Sequence, residues 1–205
     1  MIKKHHTPKF IFSRLKQKLY EKKHPDSPWM TPESIKLMDQ LINPNDIGLE
    51  YGSGRSTFWF AKRCKHLTSV EHNEKWFGIV NKKISMLKNL NVDYSLQGLN
   101  DDPLKSTYFK TINNFDNESL DFIIVDGKYR DILSLKAIEK LKKGGLLILD
   151  NAERYLPNDY KIFETMGNNK NNVSPNWKKF IEHVKNWRKI RTCDGISSTY
   201  LLIKT

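Results

Sequence analysis

The stretch Gly48-Leu49-Glu50-Tyr51-Gly52-Ser53-Gly54-Arg55-Ser56-Thr57 decides how the rest of the chain is read. A short apolar run ends in an acid, two glycines stand one residue apart, and a segment able to form a helix comes next. Such a turn aims free backbone N–H groups at any carboxylate or phosphate lying at the end of the strand. Gly52 and Gly54 let a ligand approach the main chain closely. A dinucleotide fingerprint asks for a third glycine, and position 57 is Thr. Alone, the turn is equally the tight strand-to-helix connection of any α/β protein.

Its surroundings sharpen it. Outward from the turn, strands and helices alternate. Strands are expected over residues 46–51, 66–71, 92–97, 120–126 and 146–150, the last two apolar throughout as in strands buried on both faces. Helices are expected over 56–65, 73–90 and 131–142, the last ended by Gly144-Gly145. Before them, Thr31-Pro32-Glu33-Ser34 reads as a cap, a first-turn proline and an early acid, opening a helix to about residue 42. Ser174-Pro175 opens another, with Trp177, Phe180, Ile181, Val184 and Trp187 on one face. Residues 189–193 and 198–205 flank Asp194-Gly195 as a hairpin. The expected fold is α/β with three layers: a doubly wound, mostly parallel sheet closed by a C-terminal antiparallel hairpin.

Composition bounds the rest. With 38% hydrophobic and 28% charged residues, the 205-residue chain suits one globular domain, residues 29–205, preceded by a basic arm, residues 1–28. The net charge is +12, and residues 1–23 carry eight Lys and Arg against one acid, Glu21. If that arm is helical, Ile11, Phe12, Leu15 and Leu19 form one apolar stripe among the bases. It then reads either as a surface helix attracted to anionic lipid or nucleic acid, or as a solvated helix packed on its own domain or a second subunit. The packed helix is the default, and a homo-oligomer goes with its second form. Cys64 and Cys193 have no metal-cage spacing, and the N-terminus lacks a signal peptide's apolar core. A reduced cytoplasmic protein is expected, with peripheral contact at the inner face of a membrane if the arm binds lipid.

In an open α/β sheet the residues that matter end strands. Here those ends are Glu50 with its glycine turn, Glu71-His72, Asp126-Gly127 and Asp150-Asn151. Glu71 lies at the end of the next strand after the turn, where an acid can accept both ribose hydroxyls. The bland alternative is an exposed strand-end acid.

On EYGSGRST succeeded by SVEHNEKW, with the late hairpin, the chain resembles the class I methyltransferases that use S-adenosylmethionine, and looks most like small bacterial ones of unassigned substrate. The resemblance spans about residues 29–205. It implies that Glu50, Gly52, Ser53 and Gly54 surround the methionine moiety, with Tyr51 a further cofactor contact, that Glu71 takes the ribose, and that His72 lies by the adenine. It adds Ser56 and Thr57 as helix cap or carboxylate contacts, Gln97 as a weaker adenine candidate, and Asp126 and Gly127 as further cofactor contacts. The fourth and fifth strand ends also resemble metal-dependent O-methyltransferases of the catechol and caffeoyl-CoA kinds. Those bind a divalent cation with residues matching Asp126, Asp150 and Asn151, which implies Mg²⁺. The run VDGKYRD departs from their pattern, and the metal-free alternative has Asp150-Asn151 only capping the next segment of chain.

For chemistry, Asp126 and Lys128 are the candidates for handling the acceptor's proton. Arg130 and Arg154 could hold an anionic substrate, and Trp29 and Tyr155 could wall it; surface charge and core packing are the bland readings. Acceptor choice should reside in residues 27–34, 99–115 and 151–174, which depart from the core pattern. The leading function is methylation, at oxygen, of a small molecule or glycan. A nucleic-acid methyltransferase using the basic arm is the runner-up, though no Asn-Pro-Pro-aromatic motif comes after the fourth strand. A non-catalytic nucleotide-binding module is the third.

Overall fold

The apolar runs pair in a single seven-stranded sheet, and the loops between them carry the helices. The computed structural model describes residues 7–87 and 90–205, apart from the side chain of Lys170. In chain order the elements are α1 (Pro8–Lys23), α2 (Pro32–Leu41), β1 (Ile47–Tyr51), α3 (Arg55–Ala61), β2 (His66–Glu71), α4 (Glu74–Met86) and β3 (Val92–Leu96). Then come α5 (Thr107–Lys110), β4 (Leu120–Val125), α6 (Arg130–Lys140), β5 (Leu141–Asp150), α7 (Pro175–His183), β6 (Arg188–Cys193) and β7 (Ser198–Ile203). The strand order is β3-β2-β1-β4-β5-β7-β6. The first five strands run parallel, and β7 enters antiparallel to both β5 and β6.

Local chemistry starts the helices where it was expected to. Thr31 and Ser174 each accept a first-turn N–H ahead of a proline, and Asn73 caps α4 through Trp76 N at 2.9 Å. Period-two alternation then sorts the core onto the two faces of the sheet. Leu49, Tyr51, Ile123, Val125, Leu147 and Leu149 belong to a cluster with α6 and α7, while Phe122, Ile124, Leu146 and Ile148 join α2 and α3 on the other side.

Three expectations need correction. The Gly144-Gly145 pair does not stop a helix, because α6 has already ended at Lys140. Leu141 pairs with Leu120, and the strand bulges before Leu146 pairs with Phe122. Gly144 sits at φ +82°, and a Cβ on Gly145 would fall 2.9 Å from Lys142 O, so the glycines serve the bulge. The helix after the glycine turn covers Arg55–Ala61 rather than 56–65; beyond it the chain tightens, with Arg63 N bonding Phe60 O three residues back. Helix α4 ends at Met86, with residues 88 and 89 of its expected span outside the described part.

Of the basic arm, residues 1–6 lie outside the described residues; Pro8–Lys23 forms α1 and packs on the chain's own body. Phe10 meets Phe163 edge-on at 6.3 Å, Tyr20 joins the α2 cluster, and Ser13 lies against the Gly195 turn of the hairpin.

Candidate functional site

Strand β1 lies between β2 and β4, so the chain leaves it in opposite directions and a crevice opens at the carboxyl ends of β1 and β4. Gly52 lies there at φ +94°, and a Cβ on it would fall 2.9 Å from Gly127 N and 3.0 Å from Asp126 C. Only glycine fits both that conformation and that closeness. Gly54 is extended, and a Cβ there would meet nothing nearer than Trp76 at 3.9 Å.

Behind the turn, Glu50 is fully buried, and its side chain faces away from the Leu49–Tyr51 cluster toward α3 and β2. Parallel register puts Ser69 beside it, and Oε2 accepts Ser69 Oγ at 2.5 Å and Thr57 Oγ1 at 2.6 Å. Thr57 Oγ1 also accepts the Gly54 N–H at 3.0 Å, so the acid and the turn are held together. Burial pushes the Glu50 carboxyl up to about 7, against the downward pull of the Ser56, Ser69 and Thr57 hydroxyls.

Glu71 ends β2 and is also buried. Oε2 accepts Ser53 N at 3.1 Å and Ser53 Oγ at 2.9 Å, while Oε1 accepts His72 N and Asn73 N, both at 2.8 Å. All four acceptor positions of the carboxylate are therefore used. Ser53 also meets Tyr94 Oη at 2.8 Å, and its carbonyl accepts Trp76 Nε1 at 2.7 Å. Among the described residues, seven buried side-chain polar atoms have no hydrogen-bond partner. Three of them, Glu50 Oε1, Arg55 Nη1 and Tyr108 Oη, belong to residues gathered about this turn; a fourth, His72 Nδ1, lies 3.1 Å from Glu71 Oε1. A concentration of unsatisfied groups in one place is how a polar ligand site reads in a protein interior.

The predicted cofactor residues thus converge, with two qualifications. The Tyr51 ring points into the core against Tyr108, at 5.0 Å between centroids, leaving only its main chain toward the crevice. Gln97 is fixed by its backbone N–H to Glu71 O at 2.8 Å, with its side chain 3.4 Å from Ser95 Oγ.

At the ends of β4 and β5 the Mg²⁺ expectation is corrected. The Arg130 guanidinium occupies the place between the strand ends, donating to Asp126 Oδ1 at 2.8 Å, to Gly127 O at 3.0 Å, and to the Asp126 and Asp150 carbonyls. Asp150 turns its carboxylate to Thr199 Oγ1 at 2.7 Å, and burial, then the charge of Asp126, raises its carboxyl well above the usual range. A guanidinium where the ion would sit does not fit a divalent cation. No group of three or more His, Cys, Asp or Glu among the described residues is placed to hold a metal. Asp126 itself is half-buried and raised by desolvation, with Arg130 pulling the other way. Two left-handed residues, Tyr129 at φ 54° and Asn151 at φ 50°, mark these same strand ends as strained.

Beyond the clamp lies a cavity of about 410 Å³ at the start of α6. Lys128, Arg130, Arg154 and Tyr155 all line it, so four of the predicted catalytic and substrate residues come together. Tyr155 stacks on Trp177 at 5.6 Å and lies under Arg130 at 5.5 Å. Arg154 is paired with Glu164 at 2.8 Å. Trp29 stands apart: it stacks on Trp76 at 6.1 Å beneath Arg55, on the glycine-turn side. Ser69, Tyr94, Trp76 and Tyr108 belong to the site without having been singled out. The first two carried a signal in the alternation of β2 and β3; Tyr108 comes from the 99–115 insertion, which no periodicity placed.

No protein-family model matches the chain, and no curated protein matches it. Solved structures do. An O-methyltransferase from Bacillus cereus in complex with SAH is 22% identical with a TM-score of 0.61, over 94% of this chain and 91% of that one. A Staphylococcus aureus protein proposed as a caffeoyl-CoA O-methyltransferase is 18% identical with a TM-score of 0.60, over 98% and 94%. An rRNA methylase from Streptococcus thermophilus is 13% identical with a TM-score of 0.54, over 87% and 99%. What the chain shares with them is the fold, the seven-stranded, hairpin-closed α/β sheet of the class I S-adenosylmethionine-dependent methyltransferases.

Proposed function

We propose that the protein is an S-adenosylmethionine-dependent methyltransferase that methylates a small-molecule or glycan acceptor at oxygen. The observation that carries the reading is the gathering of Glu50, Arg55 and Tyr108, each with an unpartnered buried polar atom, about a glycine turn at the switch point of the sheet. S-adenosylmethionine is a polar, cationic ligand that can use such groups: Glu50 and the Gly52–Gly54 main chain face its amino-acid end, and Glu71 its ribose. The ribose hydroxyls would take over the two positions on Glu71 Oε2 that Ser53 now fills.

The cofactor supplies an activated methyl group, so the chain's task is alignment and proton handling. Arg130 ties the end of β4 to that of β5 and fixes the floor of the acceptor cavity. One Asp126 oxygen is held by Arg130, leaving the other to take the acceptor's proton, and its raised carboxyl suits a base. Lys128, exposed on the cavity wall, brings an ammonium to the developing oxyanion. The cavity's size favours a compact acceptor or a sugar unit over a base held within a duplex.

Calorimetric titration of S-adenosylmethionine and of NAD into wild type and Glu71→Ala tests the reading. Binding of S-adenosylmethionine, weakened more than about tenfold in the variant, is expected. No binding of S-adenosylmethionine, or binding of NAD in its place, overturns it.

A further inference from the structure

We infer that the outward face of α1 is a docking surface for an anionic lipid bilayer. This goes beyond the catalytic reading and does not depend on it. Helix α1 is held to the body by one side only: Phe10 meets Phe163, while Ser13, Gln17 and Tyr20, with Lys16 at the rim, face α2 and the hairpin turn across a shallow crevice. The residues that hold it down are therefore mostly polar or small. Its large apolar residues point the other way. Ile11 is 59% exposed, Phe12 70%, Leu15 56% and Leu19 53%, so more than half of each is open to solvent.

At about 100° per residue these four fall on one continuous arc of roughly a quarter turn. Lys16 and Lys23 border that arc on one side, with Lys9 further round toward the body, and Arg14 and Lys18 border it on the other; Lys22 falls within the arc just past Leu19, and the lone acid, Glu21, lies beyond Arg14 on the way to the body side. An apolar strip with a cationic hem on both edges matches a bilayer whose headgroups are negative. The strip enters the acyl boundary while long basic side chains reach the phosphates. Charge decides against the other occupants. A second copy would bring two such hems face to face. A nucleic acid would satisfy the cations but leave four large apolar side chains against water. No described helix is long and apolar enough to cross a membrane, so the contact is peripheral. The first turn of α1 also lines a cavity of about 490 Å³ that shares Met166 with the acceptor cavity, so a surface bound by this helix lies close to the candidate site.

The test is co-sedimentation of the full chain with vesicles of phosphatidylcholine alone and of phosphatidylcholine mixed with phosphatidylglycerol, at low and high salt. The comparison is with the double variant Leu15→Asp, Leu19→Asp. Both positions are exposed, so the variant should keep the wild-type unfolding transition. Wild type is expected on the mixed vesicles, with binding that falls as salt rises, and the variant should lose more than about tenfold in partitioning. The inference is overturned if wild type does not bind the mixed vesicles, or if the variant binds them as well. It is equally overturned by a wild-type dimer that the variant converts to monomer without vesicles. Oligonucleotide binding shared by both proteins, without vesicle binding, would overturn it too and assign the cations to nucleic acid instead.

Discussion

Burying Glu50 sets up a measurable opposition between stability and pH. Its carboxyl rises from 4.5 to about 7, chiefly through loss of water around the charge. A raised acid binds its proton more tightly in the folded chain than in the unfolded one. Stability is therefore unaffected below the unfolded value, falls as pH climbs between the two values, and stays low above the folded one. Between pH 5 and pH 8 that shift amounts to about 2–3 kcal/mol. Glu50→Gln removes the titration while keeping the shape and an oxygen for Ser69 and Thr57, whose hydroxyls can turn to meet the amide. Urea unfolding of both proteins at the two pH values gives the comparison, since groups that do not interact with Glu50 are common and cancel, and Asp126 adds only a smaller change through its charge. The variant should gain about 2–3 kcal/mol on wild type between pH 5 and pH 8, whatever its constant offset. A difference that stays the same at both values within about 0.5 kcal/mol would refute the argument. So large a penalty at neutral pH is the mark of a group kept for binding rather than for folding.

The turn and the clamp give two further outcomes. Gly52→Ala places a methyl against Gly127 and Asp126 at a positive φ and should cost about 1–3 kcal/mol in denaturant unfolding, whereas Gly54→Ala, extended and uncrowded, should cost less than about 1 kcal/mol. Equal costs would mean the turn is not held as described. Arg130→Met strips the carbonyls of Gly127 and Asp150 of their shared donor and should cost about 2–4 kcal/mol. In the same assay a chelator should leave wild type unchanged; a lowered midpoint on chelation would restore the metal expectation for Asp126 and Asp150.

Much of the architecture was legible because it rests on local rules. Thr31-Pro32 and Ser174-Pro175 cap helices through their own side chains, and LDFIIVD is apolar because both of its faces are covered. The Gly52 turn was legible because only one residue type tolerates it. What escaped depends on partners far along the chain. Gly144-Gly145 after two lysines looks like a helix terminus, and only pairing of Leu141 with Leu120 reveals a bulge. Arg130 reads as a surface charge until α6 starts at the left-handed Tyr129 and folds the guanidinium back over two strand ends. Asp150 looked like a ligand because its engagement with Thr199 spans 49 residues. Trp29 and Tyr155, alike as candidate walls, end on different sides of the site because their loops leave different edges of the fold.

The central position of β1 also sets a timetable. Ile47 at its start bonds to Asp121, 74 residues downstream, so the middle of the sheet cannot close until β4 has been made. At about 5–20 residues per second on a ribosome, that interval lasts roughly 4–15 s. During it Leu49, Tyr51 and Leu67, all fully buried in the finished fold, have only β2 and the flanking helices to shelter them. The closing hairpin is local by comparison, Cys193 pairing with Ser198, and can form as soon as it emerges. Refolding of the intact chain should therefore be limited by the β1–β4 pairing, and the nascent chain is most exposed to aggregation before residue 125 appears.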